Sequence, residues 1–298
     1  MVYDESLILA GRGTMRKKRI YAVTAFLCLT CLTGCGKSKE TQEKQMQLRS
    51  QGMQQALDGE YEAAIASYDE ALQLSGMSVG SLELDIAAYK ASALYYQGDV
   101  QKAIDTCSAV LDLKKDVEIY LTRGLLYKEM GDMQKAKEDF QTAIERTSSK
   151  DLLMQGRLHF YMEDYTKAKE YLEKVVAEGN PEGIYWQAEL YSQMGNEDYA
   201  VTLYQSYLTG QNPTQQSAYA KVASWQIQQK EYDQALETLQ NGISKGESTS
   251  LQEMKAQEIA IYEQKGDFET AKLKMESYLE SYPNDEEAMR EYEFLKSR

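Results

Sequence analysis

The sequence contains little histidine and proline, and it has too few basic residues to balance its acids. His159 is the one histidine among 298 residues, which excludes a metal site built on a histidine pair. Only three prolines occur, and this scarcity favours long helices joined by short turns. The 33 basic and 47 acidic residues give a formal net charge of −14. Nucleic-acid binding requires a basic surface, so we predict no nucleic-acid partner.

Cysteine is also sparse, and its distribution argues against a disulfide framework. Cys28, Cys31 and Cys35 lie together near the N-terminus, which leaves Cys107 without a partner further along the chain. Cys28 and Cys31 form a CxxC, but it lies in an apolar run and has no second ligand pair, as a zinc site would need. No phosphate-binding loop, dinucleotide fingerprint or serine elbow occurs. We therefore predict no enzyme activity and no cofactor.

The first 34 residues have the pattern of a secretory signal. Four basic residues at 16–19 precede an apolar run at 20–32, which is too short for the roughly 20 residues that span a bilayer. Small residues, Thr33 and Gly34, then precede Cys35. Residues 1–14 lie upstream of this signal pattern, and one hypothesis is that translation starts at Met15. A plain signal peptide or a short anchor helix is the alternative interpretation.

Residues 32–35, LTGC, resemble the bacterial lipobox. This resemblance implies that the signal is cut before Cys35 and that the cysteine is diacylated. The lipid would then hold the protein on a cell membrane, facing outside the cytoplasm. Residues 35–45 are predicted to form a polar tether, and residues 46–298 the folded part.

Seven related segments follow, and they recur at intervals of about 34 residues. Their first residues are Gly59, Gly98, Gly131, Glu163, Gly195, Lys230 and Gly266. An alanine lies five residues after each start, and a mostly large residue four further on: Tyr68, Cys107, Phe140, Leu172, Tyr204, Leu239 and Met275. A mostly small residue lies seven before each start: Gly52, Ala91, Gly124, Gly156, Ala188, Ala223 and Ile259. Small residues allow two helices to approach closely, and large ones fill the space between units.

This pattern resembles the tetratricopeptide repeat, a helix–turn–helix unit of about 34 residues. The resemblance implies an all-α fold, a right-handed superhelical solenoid of about seven repeats, with a C-terminal capping helix at residues 284–296. The glycine of each turn is expected in the left-handed conformation that ends a helix. Glu163 and Lys230 replace that glycine in two repeats. His159 and Cys107 occupy packing positions, so neither is predicted to be reactive.

The resemblance also implies a concave groove lined by the first helix of each repeat. The positions that line it in the family correspond here to Tyr95, Leu121, Leu125, Lys128, Leu153, Arg157, Phe160, Tyr185 and Glu189. Aromatic and cationic side chains often carry binding energy, and this set would favour an acidic or phosphate-bearing segment. Some of these residues could instead pack between repeats. The asparagines by which chaperone-binding members clamp a peptide carboxylate are absent at the matching positions.

We therefore expect a non-catalytic scaffold or adaptor at the bacterial envelope that binds a peptide or partner protein in its groove. One alternative is a structural component or biogenesis factor of a multi-protein envelope machine, such as a pilus, secretion or wall-synthesis apparatus. Another is a binder of glycans or small ligands, with Tyr95, Phe160, Tyr185 and Trp186 as its stacking surface.

Overall fold

The computed structural model describes residues 39–76, 79–210, 213–246, 248 and 250–298, and within them it contains fifteen α-helices and no strand. The helices are α1 (Lys39–Leu57), α2 (Tyr61–Gln73), α3 (Ser81–Tyr96), α4 (Val100–Leu113), α5 (Val117–Glu129), α6 (Met133–Arg146), α7 (Leu152–Tyr161), α8 (Tyr165–Ala177), α9 (Glu182–Gln193), α10 (Glu197–Leu208), α11 (Ser217–Gln228), α12 (Tyr232–Ile243), α13 (Leu251–Gln264), α14 (Phe268–Ser281) and α15 (Glu286–Leu295). The predicted signal segment, the start at Met15 and the lipidated Cys35 lie outside the described residues.

The helices form seven antiparallel pairs, from α1 with α2 (repeat 1) to α13 with α14 (repeat 7), and α15 follows as a cap. Each helix packs on the next helix in the chain. The first helices of some neighbouring repeats are also in contact, for example α1 with α3 and α7 with α9. First helices therefore form the inner layer of the stack. The predicted all-α solenoid with its C-terminal capping helix is confirmed.

The turn inside every repeat has the predicted left-handed residue. Five of these residues are glycines with positive φ, and Glu163 and Lys230 adopt the same conformation with φ of 63°. Side chains are strained there by about 1–2 kcal/mol. The repeat frame therefore fixes the backbone of the turn even where the residue disfavours it.

The small residues of the first helices face the large residues of the second helices. A Cβ atom built on Gly52 would lie 2.6 Å from the ring of Tyr68, and one built on Gly156 would lie 2.7 Å from Leu172. Tyr68 and Leu172 are fully buried. The pairing of small and large positions predicted from the sequence is thus a close contact between the two helices of repeats 1 and 4.

The folded part begins earlier than predicted. Helix α1 starts at Lys39, so most of the expected tether at residues 35–45 is helical. Gln45 is completely buried, and its side-chain amide donates to the carbonyl oxygen of Ala71 at 2.9 Å and to Glu83 Oε1 at 3.2 Å. These hydrogen bonds explain why a polar segment belongs to repeat 1.

The other end of the stack is closed by α15, within the predicted range of the cap. Ala288 and Leu295 pack inward, while Met289 and Phe294 are each 41% exposed on an otherwise charged outer face. Among the helices of the described ranges, none is both long enough and apolar enough to cross a bilayer.

Candidate functional site

The inner layer of the stack is more closed than the groove predicted from the sequence. Leu121, Leu125, Phe160 and Tyr185 are all buried between helices. The other predicted lining residues are partly exposed: Tyr95, Lys128, Leu153, Arg157 and Glu189. Whether this strip binds a partner stays a prediction, but its accessible part is narrower than expected.

Arg157 joins three repeats. Its Nη1 and Nη2 atoms lie 3.3 and 3.4 Å from the two carboxylate oxygens of Glu118 on α5. Its guanidinium also lies over the ring of Trp186 on α9, 5.5 Å from the ring centre. Burial lowers the pKa of Arg157 to about 10, which leaves it charged at neutral pH.

The second predicted cation, Lys128, is also engaged within the protein. Its Nζ atom lies 3.2 Å from Glu163 Oε1 in the turn of repeat 4. Both cations that were expected to attract an acidic segment therefore already have a carboxylate partner. This pairing reduces the charge that either of them presents to a ligand.

The aromatic side chains near Arg157 form a packed cluster. Phe160 contacts Tyr161 and Trp186 edge to face, with ring centres 5.1 and 5.8 Å apart. Tyr185 lies 5.6 Å from Trp186 and shares a hydrogen bond of 3.0 Å with Ser217 on α11. Phe160, Tyr185 and Trp186 are all buried, so they offer no stacking surface to a glycan. The cluster instead fixes repeats 4 to 6.

A cavity of about 510 Å³ opens between repeats 3 and 4, beside the pair formed by Glu118 and Arg157. Its lining residues are Lys115, Asp116, Val117, Glu118, Arg146, Thr147, Ser148, Asp151 and Met154. These residues come from the N-terminal ends of α5 and α7 and from the C-terminal end of α6 with the loop that follows it. Sequence reasoning missed this site. The polar run TSSKD at residues 147–151, which is typical of a loop, was the available signal.

Three carboxylates of this cavity lie close together. Asp116 and Asp151 cap the N-termini of α5 and α7: Asp116 Oδ1 accepts from the backbone of Glu118 at 3.0 Å, and Asp151 Oδ1 from that of Met154 at 3.1 Å. Burial raises the pKa of Glu118 to about 7, and the charges of Asp116 and Asp151 act in the same direction. Glu118 already faces Arg157, so Asp116 and Asp151 are the carboxylates that a cationic group in the cavity would meet.

His159 and Cys107 have the most reactive types of side chain in the described part of the chain, but both are packing residues. His159 stacks on Tyr171 with ring centres 5.4 Å apart, and burial lowers its pKa. Cys107 is completely buried, which raises the pKa of its thiol to about 12. A thiol of this kind is a poor nucleophile. Within the part of the chain that the structure describes, no group of His, Cys, Asp and Glu side chains is arranged to hold a metal ion.

The stack of helix pairs defines the chain as an α-solenoid, and comparison with known families identifies its type. Family models for the tetratricopeptide repeat match residues 117–150, and residues 56–117 and 153–220. Together these matches span more than half of the chain, which therefore belongs to the tetratricopeptide-repeat family. Proteins of this family generally mediate protein–protein interactions, and the fold is typically a non-catalytic scaffold.

Solved structures agree with this fold. Yeast Tom70 is similar with a TM-score of 0.54 and 12% identity, over 87% of this chain and 58% of that one. A tetratricopeptide repeat protein from Parabacteroides merdae has a TM-score of 0.48 and 20% identity, over 86% of this chain and 100% of the other. No curated protein matches the chain. At these identities the likeness concerns the fold alone.

Proposed function

We propose that this protein is a non-catalytic interaction scaffold, held on the outer side of a bacterial cell membrane by lipid on Cys35. In this proposal a partner protein binds at the cavity between repeats 3 and 4. The observation that carries the proposal is the cavity itself, with about 510 Å³ of space and three neighbouring carboxylates. A basic side chain of a partner would be attracted to Asp116 and Asp151, whose negative charges also act on the neighbouring Glu118.

The position of the cavity supports this choice of binding site. It shares Glu118 with the strip around Arg157, so a bound segment could continue from the cavity past the accessible residue Leu153. Lys115 and Arg146 lie exposed at the rim, where they would meet acidic neighbours of the inserted basic side chain. The partner is therefore a protein segment of mixed charge rather than a purely acidic or phosphorylated one.

The anchor part of the proposal is supported by the spacing between Cys35 and the first helix. Helix α1 begins at Lys39, four residues after the cysteine. A fully extended link of that length reaches about 14 Å. Lipid on Cys35 would therefore hold the N-terminal end of α1 within about that distance of the membrane surface.

Removing charge from the cavity without removing its helix caps is expected to weaken partner binding about tenfold. Asparagine caps a helix as well as aspartate does, so the double variant Asp116→Asn, Asp151→Asn should fold normally. The loss of two charged contacts amounts to about 1.4 kcal/mol or more. Cross-linked capture from the native envelope, followed by quantification of the partner, measures the effect.

The matched control for this experiment changes two caps that lie away from the cavity. Asp267 and Asp285 cap α14 and α15 by the same type of hydrogen bond, at 3.1 and 3.0 Å. Capture by the variant Asp267→Asn, Asp285→Asn should equal that of the native protein. Equal loss in both double variants, or no loss in the cavity variant, would contradict the proposed site.

Lipidation is expected to depend on Cys35 and on no neighbouring cysteine. Cells fed with an alkyne-tagged fatty acid should label the native chain and the Cys31→Ser variant to the same extent. The Cys35→Ser variant should lose the label, because it lacks the sulfur atom that accepts the lipid. Label that persists on Cys35→Ser would contradict the anchor, whatever the capture experiment shows.

A further inference from the structure

One edge of the solenoid carries methionine at the same structural position in three consecutive repeats. Met130, Met162 and Met194 are the C-cap residues of α5, α7 and α9, and each lies immediately before the left-handed residue of its turn. Met130 is 51% exposed and Met194 is 55% exposed. Met162 belongs to the repeat between those of Met130 and Met194, and it is partly buried. We call these three residues the methionine edge.

Methionine at this position is confined to the centre of the stack. The matching residues of the other repeats are all polar: Asp58, Gln97, Gln229 and Lys265. Neighbouring first helices in such a stack are about 10 Å apart. The methionine edge is therefore about 20 Å long, which matches roughly four turns of a helix. Met162 packs partly against the core, so the exposed apolar side chains of the edge are Met130 and Met194. Exposed apolar residues with a polar surround are typical of protein interaction sites.

The charged residues within four sequence positions of the turns at Gly131, Glu163 and Gly195 are predominantly acidic. They are Lys128, Glu129, Asp132, Lys135, Glu163, Asp164, Lys167, Glu197 and Asp198. Each of the three lysines is already paired with a carboxylate of the same rim. The Nζ to carboxylate distances are 3.2 Å for Lys128, 2.8 Å for Lys135 and 3.3 Å for Lys167. The acids outnumber the lysines two to one, so the rim as a whole attracts positive charge.

We propose that the methionine edge docks an amphipathic helix of a partner protein, with an apolar face flanked by Lys and Arg. Flexible, polarisable methionine side chains adapt to apolar groups of different shape, as they do at other protein-binding surfaces. The acidic rim supplies the complement to the basic flanks. The inference rests on the proposed function only in treating the chain as a scaffold. It uses a surface at the opposite ends of α5 and α7 from the cavity.

Methyl-labelled methionine distinguishes the two surfaces in one experiment. The full chain, ¹³C-labelled on its methionine methyl groups and held in mild detergent, is titrated with a synthetic helix of about 14 residues that has leucine on one face and lysine on the other. Met130, Met162 and Met194 report on the edge, whereas Met154 lines the cavity. We expect shifts at the first three methyl groups, and none at Met154.

Variants and peptides then test the two parts of the proposal. The variant Met130→Gln, Met194→Gln changes only exposed side chains and should weaken binding of the peptide at least fivefold. The control variant Met46→Gln changes a methionine of α1 that is 54% exposed, and it should leave this binding unchanged. A peptide with glutamate in place of lysine should bind at least tenfold more weakly. Equal binding of the glutamate peptide, or shifts spread over Met46 and Met289, would overturn the proposal. Shifts at Met154 alone would also overturn it, while leaving the proposed cavity function intact.

Discussion

Replacing Gly124 with alanine is expected to destabilise the protein by about 2 kcal/mol, although alanine is the better helix former. An alanine Cβ at this position would lie 2.4 Å from Cε1 of Phe140 and 2.7 Å from its Cδ1. Phe140 is 1% exposed and stacks on Tyr161 of the next repeat, so its ring has no space into which it can withdraw. Overpacking therefore outweighs the gain of about 1 kcal/mol in helix propensity.

Urea unfolding of the variant, monitored by circular dichroism, measures this effect. A second substitution, Phe140→Leu, removes the obstructing ring and should restore part of the stability lost in Gly124→Ala. Gly156→Ala is a useful comparison, because its Cβ meets the more flexible Leu172 at 2.7 Å and should cost less. A stabilised Gly124→Ala variant would mean that repeat 3 does not close through this contact.

The repeat frame could be predicted because it depends on residues that are close in the sequence. Gly124 and Phe140 lie on the two helices of one repeat, and the same spacing between small and large residues recurs in every repeat. The same frame predicted the left-handed turns at Glu163 and Lys230, where the residue type alone argues against them. A periodic pattern of small and large residues is sufficient for this level of structure.

The start of the solenoid could not be predicted in the same way. The segment GKSKETQEKQM has no apolar periodicity, so nothing local predicts a helix from Lys39. The burial of Gln45 depends instead on Glu83, which belongs to the next repeat. Hydrogen bonds between polar residues so far apart leave no signal in a single sequence.

The exposure of the predicted groove residues could not be predicted from the sequence for a related reason. Family positions identify which residues face inward, but whether they meet solvent depends on how tightly neighbouring repeats pack. Large rings at Tyr185 and Trp186 fill the space beside Phe160, and the inner layer closes there. The cavity between repeats 3 and 4 lies instead at the N-terminal ends of α5 and α7.

Replacing Arg157 with methionine is expected to cost about 3 kcal/mol of stability at pH 8. Methionine keeps an apolar side chain against Trp186 but removes the charge that faces Glu118. The carboxylate of Glu118 would then lie half-buried beside Asp116 and Asp151 without its guanidinium. Breaking a buried ion pair from one side typically costs about 3–5 kcal/mol, because the remaining charge is uncompensated.

The pH dependence of this variant follows from the raised pKa of Glu118, about 7 in the native protein. A carboxyl group whose pKa is raised by folding binds its proton more tightly in the folded state. This tighter proton binding stabilises the folded state fully when the pH is below the ordinary pKa of a glutamate. The stabilisation is lost as the pH rises through the raised pKa of Glu118. Arg157→Met should therefore be less destabilising at pH 5.5, where Glu118 carries a proton, than at pH 8.

A double-mutant cycle in urea decides whether the pair acts as a unit. The variant Glu118→Gln, Arg157→Met leaves no isolated charge, so it should be more stable than Arg157→Met alone. Lys174→Met provides the matched control, since its pair with Glu170 is exposed and should be worth less than about 0.5 kcal/mol. Strictly additive effects of the two substitutions would show that Glu118 and Arg157 are not coupled. The cavity would then be structurally independent of the inner strip, and a partner bound in one would not be sensed in the other.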